Sequence, residues 1–135
     1  MYKNKQDLFQ YFHAHHPLVD ENTKTEMLFD TWNKQLLGEL EKLYEERKVN
    51  DAFIPMCKGI ILFLYALFFT NDQTIENFQI EHWKETMKHF QILPVNIFDR
   101  LDFIIEHPTQ YHSFIQLKQL YTELIKKHAI KKSIG

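Results

Sequence analysis

From Ile60 to Phe69 the chain reads IILFLYALFF, ten residues without a charge and with no polar group except the Tyr65 phenol. On either side of this run the apolar positions fall into stripes. Leu28, Trp32, Leu36, Leu40 and Leu43 step by four and three, which puts them on one face of a helix. Lys34, Glu41, Lys42, Glu45 and Glu46 supply its solvated face, and Thr23 followed by Glu26 has the form of a capping box that starts it. Gly38 weakens the interior of that helix by about 1 kcal/mol relative to Ala, and close packing against a neighbouring aromatic is the expected reason for it. Tyr111, Phe114, Leu117, Tyr121 and Leu124 repeat the stripe, widened by Ile115 and Ile125, with Pro108 in the first turn. Before it, Ile97, Leu101, Ile104 and Ile105 mark a shorter helix capped by Asn96. Ile80, Trp83, Met87 and Phe90 mark another, and DLFQYF near the start reads as one or two turns ended before Pro17.

The apolar run needs a solvent of its own: lipid, a partner, or the rest of the chain. Ten helical residues rise about 15 Å, half of a hydrocarbon layer about 30 Å thick. Lys58 and Gly59 interrupt the run upstream, Pro55 sits where a helix begins, and the following TNDQ offers no basic anchor. A helix apolar on every side must be covered on every side, and the amphipathic stripes are the cover. The expected architecture is all-α: a single domain over residues 1–135, a bundle of five or six helices around a central helix at about 55–69, with about 129–135 as a frayed basic tail. No membrane insertion is expected.

Composition sharpens this picture in one respect. The chain carries 12 Phe, 6 Tyr and 2 Trp but only 3 Gly and 4 Pro, so helices joined by short loops are expected. Twenty aromatics exceed what a modest core needs, and Tyr2, Tyr11, Phe12, Tyr44 and Tyr111 are candidates for an exposed patch that meets a protein partner. A net charge of −2 gives no long-range pull on nucleic acid. The lone Cys57 forbids an internal disulfide, and the opening MYKNKQDLFQ lacks the apolar core of a secretory signal, so a cytoplasmic setting is expected.

Candidate chemistry is sparse. His13, His15 and His16, near Asp20 and Glu21, are weak metal candidates without a metal-ligand helix pattern, and an exposed loop is the plainer reading. His82, Glu85 and His89 share a helix face with no fourth ligand in sight. Cys57 is a nucleophile only if a neighbour lowers its pKa, and in such apolar company it reads as a small buried hydrophobe. Glycine patterns for phosphate cradles or nucleophile elbows are missing. Lys126, Lys127, Lys131 and Lys132 around His128 are a candidate phosphate patch, with helix-end charge complementarity as the structural reading. Arg100, with Asp99 and Asp102 beside it, reads as a tie between two helices.

The segment from Leu93 to His128 resembles the C-terminal part of the YpoC-like family of small bacterial proteins. Pro94, Val95, Asn96, Arg100 and Leu101, then His107-Pro108, then the run Tyr111 to Leu117 carry the resemblance. It implies a cytoplasmic protein of Bacillus-like bacteria and brings no catalytic residues or cofactor. It singles out Arg100, Tyr111, His112 and Gln116 as polar residues in a packing-driven segment and hence as candidate binding residues; His112 and Gln116 are one turn apart on a helix. A non-enzymatic protein-interaction domain is the leading expectation. A weak nucleic-acid-associated protein using the lysine cluster, and a small metal- or ligand-dependent helical enzyme, are the alternatives.

Overall fold

In the computed structural model, residues 3–15, 19–20, 22–75 and 82–134 are described. Tyr2, His16, Pro17, Glu21 and Ile80, all named above, lie outside them.

Helix α1 (Lys5–Ala14) starts on a capping box that the sequence reading missed. The Asp7 amide donates to the Asn4 side chain at 3.1 Å, and the Asn4 amide donates to the Asp7 carboxylate at 2.8 Å. With two orphan donors satisfied, the helix runs to ten residues where one or two turns were expected. The expected box at Thr23 and Glu26 does not form. The Thr23 hydroxyl accepts from the Asp20 amide at 3.1 Å in the preceding turn, and α2 (Thr25–Thr31) begins after it. A π-helical turn (Trp32–Leu36) joins α2 to α3 (Leu37–Glu45) without a break, so the three make one rod. Its predicted stripe is as expected: Leu28, Trp32, Leu36 and Leu40 are buried and Leu43 half-buried.

A short 3₁₀ turn (Asn50–Ala52) leads into α4 (Phe53–Thr70), the anticipated central helix with Pro55 in its first turn. All of α4 is buried except Phe53, Ile54, Lys58, Leu62 and Phe69. By length and hydropathy the span Asn50–Thr70 would suffice to cross a bilayer, yet 72% of its most apolar window is buried inside the chain. α1, the α2–α3 rod and α7 (Tyr111–Ile134) all pack against it. The cover is fitted at Gly59. A Cβ there would stand 2.8 Å from the Trp32 ring and 3.2 Å from Leu117. The glycine that serves close packing is therefore Gly59, whereas a Cβ at Gly38 would meet nothing within 4 Å. With its Cβ absent, Trp32 stacks on Tyr121 at 4.2 Å and the Tyr121 hydroxyl donates to the Gly59 carbonyl at 2.5 Å. Burial raises the Tyr121 pKa, so this donor keeps its proton.

Two further helices complete the bundle. α5 (Trp83–Met87) is shorter than the expected stripe, with Trp83 and Met87 buried and Phe90 beyond its end. α6 (Ile97–Glu106) buries Ile97, Leu101, Ile104 and Ile105 as expected. Asn96 does not cap it through its side chain. It adopts φ 54°, the left-handed conformation that Asn tolerates better than most residues, to turn the chain into α6. Counting the α2–α3 rod once, the described helices make six rods, and no strand occurs among the described residues. The stretch expected to be a frayed tail continues α7 as helix through Ile134.

Candidate functional site

Among the described residues, two gatherings of polar side chains are built on α7. The first lies against α6. The Arg100 guanidinium, 15% exposed, donates from Nε to Gln116 Oε1 at 3.0 Å and from Nη1 to the Val95 carbonyl at 2.9 Å. Its Nη2 pairs with Glu123 at 2.7 Å. Because Gln116 Oε1 accepts from Arg100, its amide nitrogen is the donor toward His112 Nε2 at 3.3 Å. Neutral His112 therefore carries its proton on Nδ1. Phe103 meets the His112 ring edge-to-face at 5.1 Å, and the open cleft around these groups is about 580 Å³.

Three of the four candidate binding residues thus converge, and Tyr111 does not. Tyr111 points to the far side of α7, 59% exposed, against Tyr44 and Phe114. Glu123 escaped the sequence reading, although its spacing of seven from Gln116 is two helical turns and put both on one face. As an arrangement of charges the cleft is a tie between α6 and α7: Arg100 is consumed by a carbonyl, an amide and a carboxylate.

The second gathering surrounds the distal end of α7. Lys131 Nζ donates to the Thr70 carbonyl at 2.5 Å and pairs with Asp72 at 2.8 Å, so it caps the C-terminus of α4 and not that of its own helix. Lys132 pairs with Glu26 at 2.5 Å. His128 lies between them, with Nδ1 3.1 Å from the buried Thr70 hydroxyl and Nε2 3.3 Å from Glu26. Phe29 faces its ring edge-on at 5.6 Å. The hydrogen bond from Lys132 holds the Glu26 pKa down to about 2. Lys126 and Lys127, by contrast, have no acidic partner among the described residues. Beside them Ile130 and Ile134, one turn apart, are 58% and 82% exposed. They border a shallow groove of about 500 Å³ shared with Ile92. Asn71 fixes that side, exchanging 2.9 Å hydrogen bonds with the Ile92 amide and carbonyl. Ile130 and Ile134 were legible as an i, i+4 pair, but the lysines beside them drew the reading to charge.

The remaining candidates carry little. His13 and His15 are exposed on and just after the last turn of α1, and His82, Glu85 and His89 are exposed too, Glu85 being paired with Lys88 at 3.0 Å. Among the described residues no three His, Cys, Asp or Glu side chains gather as a metal site would need. Cys57 is fully buried and its thiol pKa is pushed up by desolvation, the reverse of an activated nucleophile. The aromatic surplus is spent inside: of the patch candidates, Phe12 is buried, Tyr11 and Tyr44 are half-buried, and only Tyr111 among all described aromatics is exposed.

A family model described as YpoC-like protein matches residues 22–135. The chain belongs to the YpoC-like family. It is 33% identical over 115 residues to the uncharacterized protein YpoC of Bacillus subtilis (strain 168), an alignment that takes in 85% of this chain and 68% of that relative. The match reaches well beyond the last third of the chain, where the resemblance was legible by eye. It spans α2 through α7 and so includes both gatherings of polar residues. No solved structure matches.

Proposed function

We infer that this YpoC-like protein is a non-enzymatic helical domain that binds another protein, in a cytoplasmic setting, through the distal end of α7. One observation carries the reading: Ile130 and Ile134 expose adjacent apolar side chains on a helix end that is otherwise anchored by Lys131, Lys132 and His128. Exposed apolar side chains that sit together, rimmed by charge, are the usual signature of an interaction surface. Burial of Cys57 and full use of Arg100 in helix ties leave catalytic chemistry without an evident carrier. Neutralisation of Lys131 and Lys132 by Asp72 and Glu26 halves the free charge on which nucleic-acid association would depend.

Site-specific photo-crosslinking in Bacillus subtilis cells expressing the full chain tests this. A photoreactive residue is placed at position 130 or 134, with position 41 on the solvated face of α3 as control. A discrete heavier protein band from 130 and 134, absent from 41, is expected. No band from either position, or an equal band from the control, overturns the reading.

A further inference from the structure

The groove at the distal end of α7 has a mixed lining and an anchored surround. Ile92, Ile130 and Ile134 are its apolar lining, and Gln91, Lys127 and Lys131 its polar lining. Lys126, Ile130 and Ile134 recur every four residues along α7, so one face of the helix passes from an ammonium group to two isoleucines. The charge is uneven. From Lys126 to Ile134 the helix has four lysines and no carboxylate. Lys131 and Lys132 are answered by Asp72 and Glu26, while Lys126 and Lys127 have no acid against them among the described residues.

The frame is what separates this surface from a loose helix end. Asn71 pins the Ile92 backbone on one side through its amide and carbonyl. Lys131 pins α7 to the last carbonyl of α4 on the other, and His128 and Lys132 pin it to Glu26 on α2. A partner therefore meets backbone segments that are already anchored, which lowers the ordering entropy lost on docking.

We propose that this groove receives an amphipathic helix of a partner protein, acidic on its flanks, with its apolar stripe on Ile92, Ile130 and Ile134 and its carboxylates on Lys126 and Lys127. Two exposed isoleucines one turn apart form a short apolar ridge on α7 beside which the apolar stripe of a second helix can pack. Lys126 and Lys127, without an acid against them among the described residues, favour carboxylate flanks and disfavour basic ones. The proposal rests on the interaction reading above and adds to it the chemistry of the partner.

The test uses the full chain and three probes. One is a synthetic 18-residue helix with leucines at i, i+3 and i+7 flanked by glutamates, roughly the length of five helical turns. The second is the same peptide with lysine for glutamate, and the third is vesicles of phosphatidylglycerol and phosphatidylcholine. Fluorescence anisotropy for the peptides is expected to give at least about tenfold tighter binding of the acidic helix than of the basic one at low salt. Ile130→Glu with Ile134→Glu is expected to weaken the acidic helix by about tenfold or more. Lys126→Glu with Lys127→Glu should weaken it severalfold and flatten its salt dependence. All four side chains lie at the surface or its edge, and circular dichroism of each variant checks that the fold is retained. Equal or tighter binding of the basic helix overturns the proposal, as does indifference to the isoleucine variant. Capture of the vesicles with no binding of the acidic helix also overturns it, and gives the face to a lipid surface. If the crosslink at 130 or 134 forms in cells while the acidic helix fails, the proposed chemistry falls and the interaction reading stands; if no crosslink forms, the reading itself falls.

Discussion

The middle of α4 and the far end of α7 treat the same kind of side chain in opposite ways. Ile60, Phe63, Leu64 and Leu67 are wholly excluded from water, and every neighbouring element contributes to the cover. Ile130 and Ile134 stand out into solvent on a helix whose earlier turns are buried against α4. The most apolar tract of the chain is thus its best hidden, and the most exposed of the described large apolar residues, Ile134, sits with Ile130 in a stretch dominated by lysine. Hydropathy alone ranks these regions the wrong way round for exposure, because cover depends on what the rest of the chain can wrap.

The contrast breaks most readily in the middle. Phe63→Ala removes a fully buried ring that meets Tyr121 edge-to-face at 5.3 Å, and a loss of about 3–5 kcal/mol is expected in guanidinium unfolding. Gly59→Ala is expected to cost about 1–3 kcal/mol, since the new methyl forces Trp32 off its stack on Tyr121 and outweighs the gain in helix propensity. Gly38→Ala is the sharpening control. With open space at that position, the same substitution should stabilise by up to about 1 kcal/mol, raising the melting temperature. If both glycine variants shift the midpoint in the same direction, the tight approach of Trp32 to α4 is not the reason for Gly59.

The remaining effects belong to the far end of α7 and are smaller. Glu26 is half exposed, so its pairs with Lys132 and His128 are worth less than about 1 kcal/mol. Its pKa is lowered from 4.5 to about 2, chiefly by the Lys132 hydrogen bond, so the stabilisation is complete above about 4.5 and fades as the pH falls toward 2. Thermal melts of the parent and of Glu26→Gln should therefore differ at neutral pH and draw together in acid. A gap that widens in acid contradicts the anchoring of α7 by Glu26. Smallest of all, Ile134→Glu should change stability by no more than about 0.5 kcal/mol, because its side chain gives up almost no burial.

The all-α class, the central helix and the inward faces of α3, α6 and α7 were legible because they follow from periodicity. The misses have local causes. The helix starts at Thr25 and Ile97 went differently because a turn captured the Thr23 hydroxyl, and because Asn96 was used for its backbone conformation. Gly38 and Gly59 look alike in sequence, and only the approach of Trp32 from another element separates them. At the polar cleft, the i, i+4 pairing of His112 with Gln116 was visible. That Arg100 ties two helices was legible as well, but its choice of Gln116 and Glu123 as partners depends on how α6 crosses α7, which no spacing within one helix encodes. Partners of Lys131 and Lys132 lie about sixty and a hundred residues away along the chain, beyond any local pattern.

Carbene footprinting of the purified full chain in detergent-free buffer tests the contrast between the two regions most directly, since a diazirine probe labels side chains wherever water reaches them. The expected result is heavy labelling of the peptide containing Ile130 and Ile134 and little on Ile60–Leu67 until denaturant unfolds the chain. Strong labelling of Ile60, Phe63, Leu64 or Leu67 in the native protein, or recovery of the chain only with detergent present, would contradict the enclosure of that helix by its own neighbours.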